Sequence, residues 1–418
     1  MTNVRLKSVV RNVIQKSDGE QHPFLGLEDI EGGTGRLLVE DLPVKMADDS
    51  ICHRPGDVLF SKLRPYLAKS HLPTAEGTNT SELLVLRPGP EIDSRFLLHV
   101  TLSTPWVEWA NTTAYGTKMP RTSWDLVGGY QTWLPPLEEQ RRIADFLDAE
   151  TTHIEQLSAL RKRSFSLLSE RAASQMDLAV RGLPAPRTKR ADYTPLGEIP
   201  SNWLEARLRS IDCEVQTGPF GSQLHAEDYV EGAWPVINPA NITPAGLIAD
   251  PSITVPTKVR DRLARHVLRE GDVIFGRRGE LGRASIVQSE QEGWVCGTGS
   301  LRVRFRDNAF HSGYLRRYLT ISAVRHYFRL QAIGSTMPNL NTGILLSMPL
   351  LLPDPAEQAT ASRRCDEIDA WSVKATSSVD RQVQLLAERR QALITAAVTG
   401  QFDVSTASGR YVTDGVRA

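Results

Sequence analysis

A block of sequence that returns 218 residues later in the same chain constrains this fold more than any other feature. Tyr115-Gly116-Thr117-Lys118-Met119-Pro120 returns as Ile333-Gly334-Ser335-Thr336-Met337-Pro338. In the same register, Leu134-Pro135-Pro136-Leu137-Glu138-Glu139-Gln140 returns as Leu352-Pro353-Asp354-Pro355-Ala356-Glu357-Gln358. Leu167-Leu168-Ser169-Glu170-Arg171 matches Leu385-Leu386-Ala387-Glu388-Arg389, and Gly182 matches Gly400. A repeat of this period means one structural plan built twice, so every local reading has to hold in two places. Two similar modules on one chain suit a target that also comes in two parts.

The repeat has two textures. Residues 1–136 and 206–354 carry short β-branched runs, such as Asp57-Val58-Leu59-Phe60 and Asp272-Val273-Ile274-Phe275, punctuated by Gly, Pro, Asn and Asp. Here the copies align more loosely: Pro55-Gly56 matches Glu270-Gly271 at an offset of 215, and Val4-Arg5-Leu6-Lys7-Ser8 resembles Ala206-Arg207-Leu208-Arg209-Ser210. After each globular part comes a long helical pattern, roughly 137–181 and 355–399. The first places Ile143, Leu147, Ile154, Leu157, Phe165, Leu168, Met176 and Ala179 at spacings built from threes and fours. The second opens with Asp354 as N-cap, Pro355 at the first helical position and Glu357 to close a capping box. Gly182 and Gly400 stop the two patterns.

Each helix would be about 65 Å long at 1.5 Å per residue. One apolar stripe on so long a helix needs a partner. The nearest is its own repeat, and a pseudo-twofold relation would make the pair antiparallel. The alternative is two separate helices, each capping its own domain. Between the copies, residues 183–205 read as a Pro-rich polar linker, and 401–418 as a Ser-, Thr- and Gly-bearing tail, partly disordered.

With 418 residues, 40% of them hydrophobic, the chain has room for two or three domains with cores. A net charge of +0 gives no bulk basic signature, and the four cysteines lie far apart without metal-ligand spacing. Neither a membrane span nor a signal-peptide core is visible, so the expected location is cytoplasmic. Catalytic constellations are missing too. There is no phosphate-cradling GxxxxGK[ST] loop, no dinucleotide GxGxxG after a strand and no GxSxG elbow. None of the ten lysines has an acidic residue two positions before it, as a metal-dependent nuclease of the common type wants. Asn238-Pro239-Ala240-Asn241 lacks the second proline and aromatic of an amino-methyltransferase motif and reads as a turn. No cofactor or metal is expected in this chain.

Binding features are present instead. Residues 257–330 hold 15 Lys/Arg against 7 Asp/Glu. Arg277, Arg278 and Arg283 sit on a Gly-bearing loop directly after a strand, where close backbone approach and guanidinium forks suit phosphate and guanine. Lys62, Arg64 and Lys69 follow the matching strand in the first copy. A solvated charged loop would look the same in one copy; basic side chains after the same strand in both favour nucleic acid. The Met-Pro loops add hydrogen-bonding residues that differ between copies: Lys118, Arg121 and Ser123 against Ser335, Thr336, Asn339 and Asn341. A third loop carries Gly218, Phe220, Ser222 and Gln223.

The Leu-Pro-Pro-Leu-Glu-Glu-Gln helix start, its degenerate return, and Gly-Glu-Ile-Pro-Ser-Asn-Trp (197–203) followed by Thr-Gly-Pro-Phe-Gly-Ser together resemble the specificity subunit of type I restriction–modification systems. The likeness runs over essentially the whole chain, although the first module lacks the Gly-Glu-Ile-Pro lead-in and the second helix is poor in apolar residues near Arg363-Arg364-Cys365. It implies an α+β fold. Two similar α/β target recognition domains (1–136 and 206–354) would be separated by conserved spacer helices (137–182 and 355–400) forming an antiparallel coiled coil. It also implies a non-catalytic subunit that reads an asymmetric bipartite target in double-stranded DNA. Two modification subunits using S-adenosylmethionine, and restriction subunits using ATP and Mg, would join it. The rival is a stand-alone tandem DNA-binding repressor or architectural protein.

Overall fold

The computed structural model describes residues 3–17, 19, 21–45, 49–220, 223–243, 246–277, 282–306, 310–331 and 340–404. The chain forms two compact units. One draws on residues up to Ser164 and from Val379 onward; the other is Phe165–Ser378.

Each unit is centred on a four-stranded antiparallel sheet with the same connectivity. In the first unit the order is Val10–Val13, Leu83–Pro88, Val58–Ser61, Ser70–His71. In the second it is Cys213–Thr217, Ser300–Phe305, Val273–Gly276, Ala284–Ile286. Val58–Ser61 is buried throughout, because the two faces of the strand serve different cores. Val58 and Phe60 point into the helical core with Phe96 and Trp106, while Leu59 faces a smaller cluster with Leu25 and Ile30. Val273 and Phe275 divide from Ile274 in the same way. A smaller sheet on that second face contains one parallel pair in each unit, Phe24–Leu25 beside Thr78–Asn79 and Val236–Ile237 beside Val295–Cys296.

The repeat also fixes its charges. Asp57 and Asp272, each 1% exposed, close the same turn and accept two bonds from an arginine on the neighbouring strand. Arg87 lies 2.7 Å from both Asp57 oxygens, and Arg304 lies 2.7 and 2.6 Å from those of Asp272. Where the chain enters and leaves a module, the two ends pair. Asn3–Arg5 lies antiparallel to Gln131–Trp133, and Leu204–Arg207 to Pro349–Leu352.

The long helices are Leu137–Val180 and Pro355–Val398, 44 residues each. Asp354 and Glu357 form the expected reciprocal cap, with bonds of 2.8 and 3.0 Å. In the first unit Ile143, Leu147 and Ile154 share a core with Leu393, Ile394, Ala397 and Val398. In the second, Ala179 and Val180 share one with Ala361 and Cys365, and Met176 and Ile368 pack against it. Within either unit the start of one helix therefore lies with the end of the other, which excludes two helices each serving its own domain. Near Arg363 and Arg364, both exposed, the pairing is carried by small buried residues, Ala361, Ser362 and Cys365.

Each helix is bolted to its module by the glutamine of the repeated motif. Gln140, fully buried, donates to the carbonyls of Pro135 (2.8 Å) and Glu91 (2.9 Å) and accepts from the Asp93 amide at 2.8 Å. Gln358 donates to Pro353 at 3.0 Å and accepts from His311 at 2.7 Å. A turn or two further on, Asp148 holds His99 (2.8 Å) and Arg95 (3.2 Å), while its repeat partner Asp366 holds Arg317.

The segment after Gly182 does more than join the modules. Thr188–Arg190 and Glu198–Pro200 form a hairpin, and Leu196, Ile199 and Trp203 are buried in the core of the second unit. Apolar residues at every few positions make this a packed arm despite its prolines. Of the tail, Phe402 is buried and its ring lies 5.5 Å from that of Phe146. Residues 405–418 lie outside the described residues.

Candidate nucleic-acid interface

The strand that ends at Ser61 delivers Lys62 into a three-way joint. Its amide donates to the Glu82 carbonyl at 2.8 Å, and its carbonyl accepts from the Thr122 amide at 2.9 Å. In the other copy Arg277 makes the same two bonds, to Gly299 at 2.9 Å and from Leu340 at 2.8 Å. Main-chain bonds thus tie the basic residue after the strand to the exit of the Met-Pro loop in both units. The side chains at the joint are left to differ, Lys in one copy and Arg in the other.

In the first unit this joint gathers four of the residues singled out from sequence. Arg64 donates its amide to Pro120 at 2.7 Å, and Arg121 pairs with both Leu63 and Tyr115 as short antiparallel bridges. Lys62, Arg64, Lys118 and Arg121 therefore come from two loops laced together. Lys118 is exposed, and Arg121 is half-exposed with one nitrogen 2.9 Å from Glu82. Around them stand Tyr66, Tyr115 and Met119, at least half exposed, which sequence reasoning missed. Basic groups interleaved with exposed rings suit a nucleic acid, which offers phosphates and base faces together. Arg64 and Ala68, with φ of 50° and 47°, bracket the turn carrying Tyr66. A left-handed non-glycine residue costs on the order of 1–2 kcal/mol, so this loop is held in shape by its neighbours.

The second unit presents Phe220, 51% exposed, with the Arg277 guanidinium over its ring at 5.3 Å. Arg277 also donates to the Leu340 carbonyl at 3.1 Å. Gln223 folds its side-chain oxygen back to the Phe220 amide at 3.2 Å, shaping the loop. Ser222, Arg278, Ser335, Thr336 and Asn339 lie outside the described residues.

Several singled-out residues have a structural occupation. Lys69 donates to the Leu27 carbonyl at 2.6 Å, and Arg283 makes the repeat-equivalent bond to Pro239 at 2.7 Å. Both tie the small sheet to the main one. Gly218 is buried where two backbones cross, and a Cβ there would overlap the Gly297 carbonyl oxygen. Asn341 caps helix Thr342–Leu346 through a 2.9 Å bond from the Ile344 amide, and Ser123 occupies the same N-cap position before Trp124–Val127. Among the described residues there is no cluster of His, Cys, Asp and Glu able to hold a metal, and no helix long and apolar enough to cross a membrane.

No family model matches the chain. A chain from a structure of type I R-M system assembly and conformational transition superposes with a TM-score of 0.74 at 20% identity, covering 96% of this chain and 97% of the other. The HsdS subunit from Thermoanaerobacter tengcongensis superposes at 0.57 and 21% identity, covering 96% of both. The chain has the HsdS fold. In sequence, the MjaVIII type I specificity subunit of Methanocaldococcus jannaschii is 23% identical over 266 residues, 61% of this chain and 59% of that protein. The EcoDI specificity subunit of Escherichia coli is 28% identical over 88 residues, 21% of this chain and 19% of that protein. This chain thus matches less than two thirds of the length of either relative.

Proposed function

We propose that this protein is the DNA sequence-specificity subunit of a type I restriction–modification complex, each module reading one half of an asymmetric bipartite site. The observation that carries this is the joint at Lys62 and Arg277. One main-chain scaffold, built twice, presents different side chains in the two copies, as two readers of different half-sites require. Lys62, Arg64, Lys118, Arg121, Phe220 and Arg277 are its leading contacts. Ser222, Arg278, Ser335, Thr336 and Asn339 stay in the proposal from their sequence position. Lys69, Ser123, Gly218, Gln223, Arg283 and Asn341 would act chiefly by shaping the loops.

In this reading residues 1–136 and 206–354 are the target recognition domains, and 137–182 and 355–400 the spacer. The subunit does no chemistry itself. Two modification subunits bring S-adenosylmethionine for adenine methylation, restriction subunits bring ATP and Mg for translocation and cleavage, and the complex works in the cytoplasm. The paired helices act as a ruler. Methylome sequencing of a host expressing the chain with its modification subunit should reveal two unlike half-sites separated by an unspecified gap. Inserting one helical turn into either long helix should lengthen that gap and leave the half-sites unchanged. An unaltered gap, or methylation that does not depend on this chain, would refute the reading.

A further inference from the structure

The second unit contains a cavity of about 680 Å³ walled by Arg283, Arg316, Arg317, Arg325 and Arg329. It lies between helices Ser312–Tyr318 and Ser322–Gln331 and the parts of the two long helices in this unit. Its volume falls in the range of small-ligand sites, about 300–1,000 Å³.

Among the described residues two carboxylates share the wall, and both are engaged. Asp177 holds Arg181 at 2.6 Å and the Ser322 amide at 3.3 Å; Asp369 holds Arg317. Arg316 lies 3.7 Å from Asp366, which Arg317 already occupies. Burial, and then the neighbouring Arg317, pulls the Arg316 guanidinium below its ordinary value. Arg325 and Arg329 stand one turn apart on one helix and both line the cavity. The Nε atoms of Arg283 and Arg317 are buried and make no hydrogen bond among the described residues.

The sister module is built without three of these arginines. Helices Ser94–Leu102 and Thr104–Thr112 begin 218 residues before Ser312 and Ser322. At that offset Leu98, His99, Val107 and Asn111 stand where Arg316, Arg317, Arg325 and Arg329 stand. His99 reproduces the Arg317 contact to the long helix, whereas Leu98, Val107 and Asn111 supply no cation. Three arginines have thus been placed on one copy of a cradle whose other copy lacks them.

We infer that this cavity is a phosphate-binding site. Planar guanidinium forks match phosphate oxygens in pairs and keep their charge when partly buried. The phosphate can come from a free nucleoside triphosphate or from the backbone of bound DNA. The test uses the full-length chain and its Arg325→Ala/Arg329→Ala variant, both positions being exposed, with the melting temperatures of variant and parent compared first. One arm titrates ATP and inorganic pyrophosphate by calorimetry without DNA. The other measures binding to a non-target duplex across a salt series.

A free-nucleotide site predicts at least tenfold weaker ATP binding in the variant with duplex affinity unchanged. A backbone site predicts weaker binding to every duplex and a log–log salt slope smaller by about 2, from roughly 0.9 per phosphate contact. Arg325→Lys/Arg329→Lys should recover part of either loss. Parental affinity of the alanine variant for both ligands would overturn the inference. Because neither arm uses a target sequence, this outcome is separable from failure of the half-site reading.

Discussion

Replacing Gln140 by glutamate changes one atom group and no volume, yet it should unfasten the first long helix from its module. The amide nitrogen now donates to two carbonyl oxygens at 2.8 and 2.9 Å, in a side chain with no exposed surface. A carboxylate there puts an acceptor against two acceptors. Two bonds worth about 1 kcal/mol each are lost, and two buried carbonyls go unsatisfied at about 1–3 kcal/mol each where water cannot reach them. Allowing for relaxation, the expected cost is about 3–5 kcal/mol. For a unit of roughly 200 residues that corresponds to a melting point lower by about 10 °C. Calorimetry combined with hydrogen exchange would show the loss at helix Ser94–Leu102 and at the first turns of Leu137–Val180, with the amides of Phe165–Ser378 protected as before. The surroundings favour the protonated acid, so its pKa is raised in the folded state. The deficit relative to the parent should therefore be complete above the raised folded-state value and shrink as pH falls through it toward the unfolded glutamate value near 4.3. A variant that melts within 2 °C of the parent at neutral pH would refute the bolt, as would equal loosening of both units.

Asp272→Asn should destabilise the second unit by about 3–5 kcal/mol, because it leaves Arg304 and the fully buried Arg302 without their shared carboxylate; urea unfolding measures it. Gly182→Ala should cost more than about 2 kcal/mol, since φ is +71° and a Cβ would strike Trp203 and Pro200, whereas Gly19→Ala, at φ +88° with nothing within 4 Å, should cost only the left-handed penalty of about 1 kcal/mol. Burial opposes the Asp148 carboxylate, but the His99 and Arg95 contacts outweigh it and hold its pKa below the ordinary value. That contribution is present above the unfolded value near 3.9 and disappears as pH falls through the folded one. Asp148→Asn should flatten the acid limb of the stability profile.

What could be read beforehand was whatever the chain states locally or states twice. The long helices announce themselves by period and caps, and Asp354 with Glu357 behaves as its spacing says. The paired cores of Ile154 with Leu393 and of Ala179 with Cys365 follow from an apolar stripe that has to be covered. Sites were less legible. A basic residue after a strand looks alike whether it faces solvent or another strand, so Lys62 and Lys69 could not be told apart until Leu27 was seen to take the second. Asn341 carries the chemistry of an adenine reader and of a helix cap, and only the Ile344 amide shows which one occupies its oxygen. Gln140 was visible as part of a repeated motif, but its partners, Glu91 and Asp93, lie nearly fifty residues upstream. Trp203 and Leu196 hid in a stretch whose prolines suggested a loose connection.

The cores of the two units close at different moments in the life of the polypeptide. Phe165–Ser378 is contiguous, so once the ribosome has released it nothing is missing. The earlier unit needs Leu393, Ile394 and Phe402, so its sheet and its half of the first rod must wait, apolar stripe uncovered, until the codon for Phe402 has been read. The portion made first is thus finished last, and a premature stop after Ser378 would spare the later portion while leaving the earlier one permanently open.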